Sequence, residues 1–313
     1  MKRKVTLPAV SAILATSALA FAGSAAAQGT YDPYSPYNPY QPGGPSQPGG
    51  PIVTLPDGTV VVPPNTTNFT LPPGGGKLIF SANVPLTITG GDGNYNIVII
   101  GNAPVSLTLG KGTQTIAYTG SGNVTLSFED AGGSTVILGS GDDKVTVRGT
   151  GQGSGKSSFN LGGGDNALTL PRATAGSARA TKKVSYVSNV VRTFGGDDTI
   201  RTGNGRATVY AGAGADEIYG GRGNALLWGQ AGNDILKGGT GKARLYGGSG
   251  NDRITAGKAV TWLSGGSGKD RLYSKNGKRD TVLGGTGRDT ATVGKRDKVS
   301  KTVEVVKRSK KTN

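Results

Sequence analysis

The chain has 313 residues, of which 56 are glycine; 34% are hydrophobic and 6% aromatic, there is no Cys and no His, and the net charge is +16. Without His or Cys there can be no thiol nucleophile, Ser-His-Asp triad or His/Cys zinc site, so carboxylate and carbonyl oxygens remain as metal ligands and select hard cations. Glycine this abundant, without a collagen period, also excludes an ordinary helical or α/β enzyme.

Lys2, Arg3 and Lys4 precede an apolar run from Val5 to Ala22, and Ala25, Ala26 and Ala27 close it. This pattern predicts a signal peptide over 1–27, and hence a protein secreted to the cell surface or the extracellular medium. No Cys follows the run to carry a lipid, and no other apolar run approaches the roughly 18 residues that span a bilayer, so no transmembrane segment is expected after cleavage. Residues 28–51 form a linker rich in Tyr, Pro and Gly. Its Tyr31, Tyr34, Tyr37 and Tyr40 recur every third residue, which would align them along one edge of a polyproline II spacer.

Residues 52–170 read as short strands. Pro interrupts 52–82, which predicts an N-terminal cap. From 83 a looser period of eight to eleven appears in GNAPVSLTLG, GKGTQTIAYTG, GSGNVTLSFED and GSGDDKVTVRG. Each unit is a turn of small residues followed by an alternating strand, the pattern of stacked parallel coils. Residues 171–186 have no aliphatic period and are expected to form an insertion loop.

From Thr193 to Tyr273 the chain cuts into nines: TFGGDDTIR, TGNGRATVY, AGAGADEIY, GGRGNALLW, GQAGNDILK, GGTGKARLY, GGSGNDRIT, AGKAVTWLS and GGSGKDRLY. The eighth position is always aliphatic, and the fourth is Gly except at Ala259. One inward aliphatic per strand makes a core too thin for a single repeat to bury, so stacking is obligatory. The sixth position alternates Asp198, Ala207, Asp216, Ala225, Asp234, Ala243, Asp252, Thr261 and Asp270. If two repeats make one coil, every Asp turn falls on one edge and every Ala or Thr turn on the other.

These nonapeptides resemble the RTX-type, or hemolysin-type, calcium-binding repeat G-G-x-G-x-D-x-U-x. GGSGNDRIT (247–255) and GGSGKDRLY (265–273) match at every defined position. The resemblance implies an all-β fold: a parallel β-roll, or β-solenoid, over 187–300, continuous with an N-terminal solenoid over 52–170 that lacks regular calcium motifs, and followed by a basic tail at 301–313. It also implies Ca2+ as cofactor, held between successive turns by Asp carboxylates and turn carbonyls. In this sequence the ligands would be Asp198, Asp216, Asp234, Asp252 and Asp270 with turn glycines Gly196, Gly214, Gly232, Gly250 and Gly268. The family's regular roll carries two calcium rows. Ala and Thr on the second edge leave one row here, with four sites: 198/216, 216/234, 234/252 and 252/270. After 273 one residue is inserted, and Asp280 and GGTGRDTAT with Asp289 follow; Asp280 and Asp289 would bind a fifth ion if the register survives. Upstream, Asp143 alone stands at the ligand position, against Val105, Gln114 and Val124 in the other units, and Asp142, Asp143 and Asp165 could together form one stray site.

Charge is segregated. Residues 52–170 hold 5 Lys and Arg against 7 Asp and Glu, whereas 171–313 hold 27 against 11. Such a basic field serves solubility or draws anionic partners such as cell-surface polymer or glycan; no sequence motif points to specific nucleic-acid binding. On the edge without Asp, the strands expose Tyr210, Trp228 and Tyr246, with Lys242 and Arg244 beside them. That face reads either as a structural aromatic ladder or as a polymer-binding surface. G-x-G strings recur in every coil and no helix follows, so the dinucleotide-binding reading fails. The expected function is calcium binding by a secreted structural or binding module. The alternatives are a cationic adhesin and, remotely, a polysaccharide-acting β-helix enzyme; no enzymatic activity is expected.

Overall fold

The structure, a computed structural model, describes residues 52–149, 155–171 and 188–308. The predicted signal, the linker, nearly all of the expected insertion loop and the last five residues of the basic tail lie outside them. The described residues fall within one compact unit. All their regular structure is strand: 27 strands, alternating in chain order between a 14-stranded and a 13-stranded sheet. Two strands and two turns thus make one coil, and coils stack by parallel pairing. The exception is the start, where Val53–Thr54 pairs antiparallel with Val60–Val61 and ends the larger sheet. This arrangement is the β-solenoid that the repeat pattern implied.

Register gives the coil length. Ile97 pairs with Ile116, 19 residues on, and Val209 pairs with Leu227, 18 residues on. The step rises to 23 between Val136 and Phe159 and to 32 between Phe159 and Val191. The longest step encloses the segment read as an insertion, and the strands on either side of it pair in one continuous ladder.

Side chains alternate in and out along each strand, as a pleat requires. In the repeats the eighth-position residues Val209, Ile218, Leu227, Leu236, Leu245, Ile254, Leu263 and Leu272 are fully buried. Upstream the interior is larger and more aromatic, with Phe80, Tyr95, Tyr118, Phe128 and Phe159 all buried. The turn glycines at position four are dictated by close approach. Gly214, Gly232, Gly250 and Gly268 have φ of +137°, +132°, +125° and +132°. A Cβ on any of them would come within 3.0 Å of the preceding coil's glycine carbonyl. Only glycine meets both demands.

The candidate metal centre

Each repeat Asp ends the turn leading from the 14-stranded to the 13-stranded sheet, directly before the strands Thr199–Arg201, Glu217–Tyr219, Ile235–Lys237, Arg253–Thr255, Arg271–Tyr273 and Thr290–Val293. Asp198, Asp216, Asp234, Asp252, Asp270 and Asp289 therefore stack on one edge, and all are buried, none more than 1% exposed. Successive members are joined. The backbone N–H of Asp198 donates to Asp216 Oδ1 (2.8 Å), and the same bond runs from Asp216 to Asp234, Asp234 to Asp252, Asp252 to Asp270 and Asp270 to Asp289. The last step, across the inserted residue, is 2.9 Å. Asp289 thus continues the row despite the register change.

One oxygen of each carboxylate is spoken for; the other is not. Oδ2 of all six is buried without a hydrogen-bond partner. Stranding such an atom costs about 1–3 kcal/mol, more when charged. Burial is the leading cause that raises every one of these carboxyls. Asp216 and Asp252 reach about 7, and Asp198, Asp234 and Asp270 about 6. Donation from the preceding backbone N–H opposes the rise at the last five members of the row, and nearby carboxylates add to it along the whole row. A row of buried carboxylates one strand spacing apart, about 4.8 Å, calls for cations between them.

Backbone carbonyls complete the arrangement. On the Asp edge, from Gly229 onward, position one of the repeat is a buried glycine that packs against Oδ2. A Cβ built on Gly229 would press on Asp234 Oδ2 and stand 2.8 Å from the Gly247 carbonyl oxygen of the next coil. At Gly247 it would press on Asp252 Oδ2, 2.6 Å from Gly265 O; at Gly265, on Asp270 Oδ2, 2.6 Å from Gly284 O. Gly284 presents Asp289 Oδ2 and Thr302 O in the same way. Each Oδ2 thus packs against a glycine that leaves no room for a side chain, with a backbone carbonyl oxygen of the next coil close by, and carboxylate and carbonyl oxygens are the ligands that calcium takes. Among the described residues no three His, Cys, Asp or Glu side chains gather in one place, so the donor set is carboxylate plus backbone rather than a carboxylate cage. The donors fit a hard divalent cation.

The model of the RTX calcium-binding nonapeptide repeat, four copies long, matches residues 192–227 and 228–259. This segment is built of RTX repeats. Their ion is Ca2+, and the β-roll they form is a calcium-binding module. No curated protein and no solved structure matches the chain. The RTX match ends before GGSGKDRLY, although the ladder and the glycine cradles run on through Asp270 and Asp289.

The Asp ladder also runs upstream of the RTX segment. Val124 N–H donates to Asp143 Oδ1, Asp143 N–H to Asn166 Oδ1, and Asn166 N–H to Asp198 Oδ1. Asn166 satisfies its own second polar atom, since Nδ2 donates to Gly164 O at 2.8 Å. Asp142, Asp143 and Asp165 do not converge: Asp143 points inward, whereas Asp142 Oδ1 accepts from Asp165 N–H and Asp165 Oδ1 from Asp197 N–H on the exposed side. On the opposite edge Thr261 N–H donates to Asp280 Oδ1 and Asp280 N–H to Asp297 Oδ1. Sequence reasoning missed that ladder because the ten-residue spacing before Asp280 hides its alignment with Thr261.

Tyr210, Trp228 and Tyr246 stack on the outer face of the larger sheet, with ring centroids 4.6 and 5.3 Å apart and planes within 15°. Arg192 lies 5.3 Å over Tyr210. Lys242 and Arg244 line a neighbouring open groove of about 570 Å³ with Arg206, Leu226, Val260 and Trp262; the stacked rings do not line it. On the smaller sheet Tyr219 is held between Arg201 and Lys237, at 4.6 and 4.8 Å. That contact was also missed, although position nine reads Arg201, Tyr219 and Lys237 at 18-residue intervals.

Proposed function

We propose that the protein is a secreted, non-catalytic module whose calcium row stiffens the C-terminal coils into a structural or binding surface outside the cell. The buried, unpartnered Oδ2 row carries this reading. Bound calcium supplies the positive charge between the coils. Asp carboxylates and backbone carbonyls would hold it, and the backbone N–H bonds to Oδ1 fix each carboxylate and leave Oδ2 as the oxygen free to ligate. The basic run followed by an apolar stretch at the N-terminus supports export, and millimolar calcium outside cells suits modules binding at about 10⁻⁴–10⁻³ M. Calorimetric titration with calcium chloride, followed by far-UV circular dichroism, tests it. Saturable binding with a gain of β signal is expected; no heat and no spectral change would refute the reading.

A second reading rests on the outer face. The Tyr210–Trp228–Tyr246 stack and the groove holding Lys242 and Arg244 set flat apolar rings beside cations, which suits an anionic cell-surface polymer or glycan. In this reading calcium is structural and the face makes the contact.

A further inference from the structure

The residue at position one decides which Asp takes an ion. Register aligns a single inward column at the end of the larger sheet: Asn160 pairs with Arg192, Arg192 with Tyr210, Tyr210 with Trp228 and Trp228 with Tyr246. The residues that follow these are Leu161, Thr193, Ala211, Gly229 and Gly247, and the column continues in glycine at 265 and 284. Each stands ahead of one member of the carboxylate row. From Gly229 onward there is no side chain, and the Asp Oδ2 and a carbonyl oxygen of the next coil crowd the place where a Cβ would stand. Ahead of Asp216 stands the methyl of Ala211, fully buried, at the point where a Cβ on its glycine counterparts presses on the carboxylate. Ahead of Asp198 stands Thr193, whose hydroxyl donates to the Ala211 carbonyl oxygen, the counterpart of the carbonyls that border the open cradles.

We infer that only Asp234, Asp252, Asp270 and Asp289 bind calcium, and that the Ala211 methyl and the Thr193 hydroxyl close the cradles of Asp216 and Asp198. This rests on the calcium reading above and moves the ion row two coils toward the C-terminus relative to the sites expected from sequence. The Asp carboxylates of the first two coils serve as ladder acceptors instead, the role that Asn166 fills one coil earlier with an amide. The same rule closes Asp280 on the opposite edge. There Ala256 aligns with Ser274, and Ser274, fully buried, donates to Asp297.

Counting ions separates the possibilities. Equilibrium dialysis of the mature chain against calcium chloride should give four ions per chain. Ala211→Gly opens the Asp216 cradle and should give five. Gly247→Ala should give three. Asp216→Asn, which keeps the ladder acceptor, should still give four, whereas Asp270→Asn should give three. Circular dichroism checks that each variant folds; should Gly247→Ala not fold, Ala211→Gly tests the rule by a gain. A wild-type count of zero would overturn the calcium reading itself. A wild-type count of five or six, or an Ala211→Gly count equal to wild type, would overturn the gating and leave calcium binding intact.

Discussion

The coils before the insertion and those after it follow the same path but fill the same inner edge differently. Upstream, Phe80, Ile99 and Tyr118 stand in the inward column, and the turn beyond each places Leu86, Val105 and Val124 opposite, all buried. Downstream the column becomes glycine and the opposite turn becomes Asp. Strand Gly93–Ile100 alone buries Tyr95, Ile97 and Ile99, whereas strand Ala243–Ser249 buries Ala243, Leu245 and a glycine. At about 1.5–3 kcal/mol for each large apolar side chain buried, the upstream coils stand on hydrocarbon. The downstream coils have a thin apolar core and a line of buried carboxylates, so their stability depends on a counter-ion. One backbone path thus accommodates two interiors, and the exchange proceeds stepwise through Leu138, Leu161, Thr193 and Ala211.

Calcium removal should break the symmetry most visibly. Each site held at a hundred times its Kd adds about 2.7 kcal/mol, so a chelator should sharply accelerate amide exchange across 229–304 and leave 78–149 as it was. Equal loss of protection in both halves would show that the upstream core does not stand alone. Unchanged exchange in both would remove calcium from the argument. Core truncations sharpen the same contrast. Phe128→Ala should cost about 3–5 kcal/mol and Leu227→Ala about 2–5 kcal/mol, measured by thermal melting. The Phe128→Ala penalty should be the same with and without calcium. Leu227 lies two residues before Gly229, so its replacement should also weaken calcium binding; if the penalty responds equally to calcium at the two positions, the interiors are not distinct.

The solenoid was legible because its period is written in residues that point inward: the aliphatic eighth position is a stacking signal with no other use. The one-edged Asp row was legible for the same reason, from its 18-residue recurrence. What the sequence concealed was the contribution of backbone. A carbonyl oxygen has no residue type, so which coils offer one beside Oδ2 emerges only when the coils are stacked. The position-one column was present in the nines as Thr193, Ala211 and Gly229, but its meaning depends on knowing that this column faces the carboxylate. Spacing also misled where it changed. The extra residue before Asp280 put the alignment of Asp289 in question, yet the N–H to Oδ1 bond from Asp270 holds across it. Insertions that leave by the turns do not disturb register within the coil.

The smallest effect on folding should come from the outer face of the downstream coils, where the comparison concerns partners rather than stability. Trp228 stacks between Tyr210 and Tyr246 but lies outside the core, so Trp228→Ala should cost on the order of 1 kcal/mol, the value of cross-strand packing on an exposed face. That is well below the penalty for its inward neighbour Leu227. Arg244 is exposed on the adjacent strand, Ala243–Ser249, and should cost still less. If the face binds anionic polymer, Trp228→Ala combined with Arg244→Ala should elute from a heparin column at lower salt than wild type, with a native circular dichroism spectrum. Wild-type retention should itself fall steeply as salt rises, since exposed charges are screened beyond about 8 Å at physiological ionic strength. Unaltered retention of the double variant would reduce the aromatic stack to a brace between coils. The basic excess of the downstream half would then act as a diffuse field rather than a site, and retention should instead respond to net charge wherever on that half it is removed.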